Sequence, residues 1–131
     1  MSFMEKKNFK ILLVDDEESV RQTAQTVLIE YGYNVVTAQD GKDALEVVTS
    51  EKPDLIISDI NMPNMNGFQF CKAVKDNNIT SRIPFILLTG MQDPDGTGAE
   101  NYTWGADEYM CKPVDWDIML GIIKNLLSDI T

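Results

Sequence analysis

Apolar residues are laid along this chain in two rhythms. Three short runs are nearly unbroken: Ile11-Leu12-Leu13-Val14, Leu55-Ile56-Ile57, and Ile83 to Leu88. Such runs read as strands buried on both faces of a parallel sheet. Between the first two lies a different spacing. Val20, Ala24, Val27, Leu28 and Tyr31 fall at offsets of four, seven, eight and eleven, the stripe of an amphipathic helix closed by Gly32. Asn34 to Ala38 reads as a second strand. Asp40 caps a second helix with Ala44, Leu45, Val47 and Val48 on its inner side, and Pro53 leads into the central strand. Asn64-Met65-Asn66-Gly67 opens a third helix bearing Phe68, Cys71 and Val74.

The remaining chain continues the alternation. Residues 91–98 are dense in turn formers, and a short, weakly determined fourth helix is expected around Ala99 to Trp104. Gly105-Ala106-Asp107 leads to a fifth strand near Glu108 to Cys111, and Asp115 caps a last helix over 116–128. Residues 1–8 are polar and unpatterned, and are expected to be frayed. Five strands alternating with five helices predict a single α/β domain, a doubly wound parallel sheet covered on both faces. A switch in strand order would place the ends of strands one and three side by side, with those of strands four and five flanking them.

Composition narrows the function. The 131 residues carry 11 Lys plus Arg against 21 Asp plus Glu, a formal charge of −10. A binder of nucleic-acid phosphates needs a basic face, so direct nucleic-acid binding is not expected. The two cysteines, Cys71 and Cys111, fit no zinc spacing and are expected to be free buried thiols in a reducing cytoplasm. No apolar run approaches membrane-spanning length, and a soluble, cytoplasmic domain is expected. The chain has no His, so any chemistry falls to carboxylates, Lys and hydroxyls.

Those groups collect at strand ends. The central run terminates in Asp59, and Pro63 rules out further strand four residues later. A plain reading makes Asp59 a turn cap and Glu17 and Glu18 the acidic start of a helix. It accounts less well for Asp15 and Asp16 at the end of the first strand. Nor does it explain Thr89 and Lys112 ending the other two. Close carboxylates repel by about 4 kcal/mol per pair at an effective dielectric of 20, so a hard cation such as Mg²⁺ is expected among them. A carboxylate beside Mg²⁺ can attack phosphorus. Asp59, alone on its strand while Asp15 and Asp16 form a ligand pair, is the best nucleophile. Lys112 is placed to take one phosphate oxygen, and the Thr89 hydroxyl or a backbone N–H another.

The set Asp15-Asp16, Asp59 with Met62-Pro63 and Gly67, Thr89, Gly105-Ala106-Asp107 and Lys112-Pro113 resembles the receiver domain of bacterial two-component response regulators. The resemblance runs from about residue 10 to 128. It implies the flavodoxin-like receiver fold with strand order 2-1-3-4-5. Asp59 would accept a phosphoryl group from a histidine kinase or histidine phosphotransfer protein. Mg²⁺, with Mn²⁺ as a substitute, would be held by Asp15, Asp16, Asp59 and the backbone carbonyl of Asn61. Lys112 would bind the phosphoryl group, followed by a cis peptide before Pro113. Thr89 and Tyr109 would form the switch pair, and Asn61 and Met91 would tune the lifetime of the phosphorylated state. The domain would assist its own phosphorylation and dephosphorylation without separate turnover.

Two departures accompany the resemblance: Val114 stands where Phe is common, and the Gly- and Pro-rich loop after Thr89 puts the usual dimerisation mode in doubt. Apolar residues of the last helix spread over roughly 200° at 100° per residue. A broad core helix accounts for that spread; the competing reading makes its Trp116–Leu120–Leu127 edge a candidate surface for a second copy, a partner or an output domain, on the face of helices four and five. The alternative function is a Mg²⁺-dependent aspartyl-nucleophile phosphatase or phosphotransferase. Its haloacid-dehalogenase-like form wants a second acid where Asp59-Ile60-Asn61 has none. A flavodoxin-like cofactor carrier needs a phosphate-binding loop where this chain has four acids.

Overall fold

The computed structural model describes residues 8–90 and 105–128. The frayed start, the turn-rich loop with Met91, and the short helix expected around Ala99 to Trp104 lie outside them, save Asn8. Among the described residues the order is β1 (Lys10–Val14), α1 (Glu18–Glu30), β2 (Asn34–Ala38), α2 (Gly41–Glu51), β3 (Leu55–Asp59), α3 (Gly67–Lys75), β4 (Phe85–Thr89), β5 (Glu108–Cys111) and α4 (Trp116–Ser128). The described part thus has the five expected strands and four helices. None of these helices is long and apolar enough to cross a membrane.

All pairings are parallel, in the order β2-β1-β3-β4-β5. Because β1 pairs with both β2 and β3, connections leave it toward opposite edges. That reversal opens a crevice beyond the carboxyl ends of β1 and β3.

Strand alternation sorts the apolar runs into two cores. Ile11, Leu13, Leu55, Ile57, Ile86 and Leu88 pack with Ala24 and Leu28 of α1 and Met119, Ile123 and Leu127 of α4. Leu12, Val14, Ile56, Phe85 and Leu87 pack with Ala44 and Val48 of α2 and Phe70, Cys71 and Val74 of α3. The Phe70 and Phe85 rings meet edge to face with centroids 5.2 Å apart. Leu127 therefore belongs to the core at 2% exposure, which removes it from the surface edge expected on the last helix. The apolar side chain that α4 leaves exposed is Ile118, at 56%.

The helix caps follow the sequence signals. The Asp40 carboxylate accepts from the Asp43 amide, and the Asp115 carboxylate from the amides of Asp117 and Ile118. Asn66 and Gln69 form a reciprocal capping box at the start of α3. Gly32, with φ of +94°, follows the last turn of α1 as a left-handed terminator. The cysteines divide: Cys71 is buried, and burial pushes its thiol up to about 12, while Cys111 is exposed. Cys111 is the last residue of an edge strand, so the core cannot cover it as expected.

Gly67 fixes how close α3 comes to the end of β3. A Cβ there would lie 2.8 Å from the Ile60 Cα and closer still to the Asp59 carbonyl. The Gly67 amide also donates to the Ile60 carbonyl. Gly121 sits on the open side of α4, where a Cβ would meet nothing within 4 Å. Urea unfolding should therefore separate the two: Gly67→Ala should cost about 1–3 kcal/mol through backbone displacement. Gly121→Ala should gain about 0.5–1 kcal/mol as an ordinary helix substitution.

Candidate functional site

The crevice is built by what happens one residue beyond each buried run. On β3 the run Leu55 to Ser58 is fully enclosed, and Asp59 is still only 7% exposed. On β1 the strand ends at Val14, and Asp15 behind it is 1% exposed while Asp16 reaches solvent. Carboxylate oxygens of Asp15, Asp16 and Asp59 all lie within 4.8 Å of one another. From the far edge, Lys112 crosses to them. Its ammonium sits 3.1 Å from Asp59 Oδ1 and 3.4 Å from Asp15 Oδ2.

Each acid is held by its own surroundings. The Asp59 carboxylate accepts from the Ile60 amide at 2.9 Å, and its carbonyl accepts from the Ser58 hydroxyl. The Asp15 carboxylate accepts from the Glu17 amide at 2.9 Å, which turns the chain into α1. Burial pushes the Asp59 carboxyl above the usual carboxylate range; the bond and charge of Lys112 pull it back only in part, and the charge of Asp15 adds to the rise. For the Lys112 ammonium, burial works downward, but the hydrogen bond and charge of Asp59 with the charge of Asp15 outweigh it. The net direction is up, so Lys112 stays charged.

One ammonium faces three carboxyl groups, so the cluster holds more acids than bases. The oxygen-only donor set, a solvent-open member in Asp16 and a spread below 4.8 Å suit a small hard cation. Zinc, which favours nitrogen and sulfur donors, has no such ligands at this cluster.

The other expected residues divide. Asn61 is exposed in the loop two residues past Asp59. The Lys112–Pro113 peptide is cis, as the resemblance implies. Thr89 ends β4, and its hydroxyl donates to the Cys111 sulfur at 3.4 Å. Tyr109 is half-buried against the core under α2 and α3. The Gly105-Ala106-Asp107 triplet lies at the opposite end of β5. There the Asp107 carboxylate takes the Phe85 amide and the Lys75 ammonium, fastening the entries of β4 and β5 to the end of α3.

Two contributors carried no local sequence signal. Arg21 on α1 donates to the Asp15 carbonyl at 2.6 Å, a contact only the strand-to-helix turn creates. Asp40 was legible as a helix cap, but its second oxygen accepts from Asn64 at 2.8 Å. Asn64 has φ of +67°, and the Gly41 amide donates to the Met65 carbonyl nearby. Together these contacts fasten the loop that carries Asn61 to the start of α2. A mostly apolar cavity of about 620 Å³ adjoins the cluster, lined by Val20 and Ala24 of α1, by Val114 and Trp116, and by Asp15 and Lys112.

Comparison with known proteins agrees with this geometry. Residues 11–124 match the family model described as the response regulator receiver domain. The protein PilG of Pseudomonas aeruginosa is 36% identical over 115 residues, covering 88% of this chain and 84% of that protein. The alkaline phosphatase synthesis transcriptional regulatory protein PhoP of Bacillus subtilis is 41% identical over 106 residues, or 81% of this chain but 43% of that protein. Among solved structures, the signal receiver domain of a signal transduction histidine kinase from Syntrophus aciditrophicus superposes with a TM-score of 0.87 at 32% identity. That match covers 94% of this chain and 92% of the other. An acid cluster at the switch point of a 2-1-3-4-5 sheet, a lysine bound across it and this sequence match together place the chain in the response regulator receiver domain family.

Proposed function

We propose that Asp59 is the phosphoacceptor of this receiver domain, loaded by a histidine kinase or histidine phosphotransfer protein. The observation that carries the reading is the 3.1 Å ion pair between Lys112 and Asp59 inside the acid cluster. A nucleophile with its charge-neutralising partner already in contact is what phosphoryl transfer asks of a protein.

In the transfer step an Asp59 carboxylate oxygen forms a bond to phosphorus. The bond from phosphorus to the donor imidazole nitrogen breaks, and its electron pair stays on that nitrogen, which takes a proton from water. Lys112 follows the charge from the carboxylate to a phosphoryl oxygen, and the Thr89 hydroxyl can donate to another. Asp15, Asp16, Asp59 and the Asn61 carbonyl would hold Mg²⁺, which supplies charge neutralisation at the phosphoryl oxygens. Arg21 holds the Asp15 backbone in place for that task.

Asp59 as sole acid of the central strand also favours this reading over a turnover phosphatase, since no second carboxylate follows it to activate water. The output is left to a partner, a second copy or a further domain. The transcriptional regulator PhoP extends well beyond the matched region. Cys71 and Cys111 held as thiols rather than as a disulfide suit a reducing compartment such as the cytoplasm.

Acetyl phosphate with Mg²⁺ should place one labile phosphoryl group on each chain, read by intact mass, and none on Asp59→Asn. Lys112→Ala should slow the loading by about a hundredfold. Sustained release of phosphate from general phosphate esters would contradict the assignment. Loading at limiting Mg²⁺ should fall on acidification, starting at a pH above that at which an ordinary aspartate titrates, because burial raises Asp59.

The same shift sets a stability effect. A carboxyl whose folded pKa is raised contributes stability while protonated, and that contribution is lost as pH rises through the folded value. At neutral pH the ionised Asp59 is therefore a cost, and Asp59→Asn should melt higher than the parent in chelator. Mg²⁺ at about 100 times its Kd should stabilise the parent by about 2.7 kcal/mol. Thermal melts with and without chelator should show that gain, and Asp15→Asn should lose most of it.

A further inference from the structure

Thr89 and Cys111 are the last residues of β4 and β5 and are direct partners in the parallel ladder. Alternation turns both side chains to the face that carries Leu87 and Tyr109, and their hydroxyl and sulfur meet at 3.4 Å. A threonine hydroxyl has one hydrogen to donate. While that hydrogen is given to the sulfur, it cannot be given to a phosphoryl oxygen on Asp59.

The geometry points to Cys111 as a positioning residue that sets how readily the Thr89 hydroxyl is released to the phosphoryl group. The inference rests on Asp59 being the phosphoacceptor. Sulfur is a weak acceptor, whereas a phosphoryl oxygen is charged and forms the stronger bond. The Cys111 contact therefore holds the hydroxyl in the unloaded domain and yields to the loaded one. The residue at this position biases the two-state balance without touching the transferred group. A residue with no acceptor would free the hydroxyl in advance; a better acceptor would hold it back.

The test is calorimetric titration of Mg²⁺ and beryllofluoride into the full chain and into Cys111→Ala and Cys111→Ser. Each is made with Thr89 and with Thr89→Val. Cys111 is exposed, so neither change opens the core. Cys111→Ala should bind about two- to fivefold tighter than the parent, the range set by one weak intramolecular hydrogen bond. Cys111→Ser, whose oxygen is the better acceptor, should bind no tighter than the parent. Both effects should vanish in the Thr89→Val background, a result that a general loosening of the strand end would not give. Binding by Cys111→Ala at or below the parent's affinity, tighter binding by Cys111→Ser, or a shift that survives Thr89→Val would overturn the role of Cys111. A parent chain that takes up no beryllofluoride would overturn the phosphoacceptor reading, and this inference with it.

Discussion

The structure turns on an electrostatic conflict at the carboxyl edge of the sheet. Asp15 and Asp59 are almost wholly enclosed, and both lie within 4.8 Å of Asp16. Ionised carboxylates in such a place repel each other and lose hydration, and either effect alone favours protonation. Lys112 answers part of the repulsion, yet Asp59 is still raised. The pocket is thus assembled with more carboxylates than cations, a form suited to an oxygen-seeking cation. A cation bound there would recover stability that the enclosed carboxylates give up.

The fold was legible in the sequence because three of its five strands are buried on both faces. A parallel sheet covered by helices needs unbroken apolar runs, and β1, β3 and β4 supply them. The caps Asp40 and Asp115 were equally legible, since they act through bonds to amides two or three residues away. Local chemistry of that kind is written in local sequence. Asp15, Asp59 and Lys112 were found because each stands directly after a run whose end could be read.

Contacts between separate loops were not legible. Arg21 reaches Asp15 only through the turn between β1 and α1, and Asp40 reaches Asn64 across the sheet edge. No spacing rule marks either pair. Exposure at element ends was misjudged for a related reason. Cys111 looked like a buried strand thiol, but it ends the edge strand β5, where the neighbouring side is open. Leu127 looked available because the apolar arc of the last helix is broad. The helix leans on the sheet deeply enough to bury Leu127 and leaves Ile118 outside.

Strand parity then separates the chemistry from its readout. Asp15 continues the alternation of Leu13, Asp59 that of Ile57, and Lys112 that of Met110, which all pack on the side of α1 and α4. Thr89, Cys111 and Tyr109 follow Leu87 toward the side of α2 and α3. Inside the sheet these two sets cannot meet, because the backbone lies between them. They can meet only at the very end of a strand, where side chains of either parity share one space. Thr89 occupies that position on β4, next to the strand that bears Asp59. On the proposed assignment of Asp59, a hydroxyl there would exchange a partner on one face for a phosphoryl oxygen from the other. A residue of the same parity one turn of pleat earlier, such as Leu87, is walled off from the site whatever its chemistry. The place of the threonine, at the end of its strand and beside the central one, is therefore as necessary to a switch as its hydroxyl.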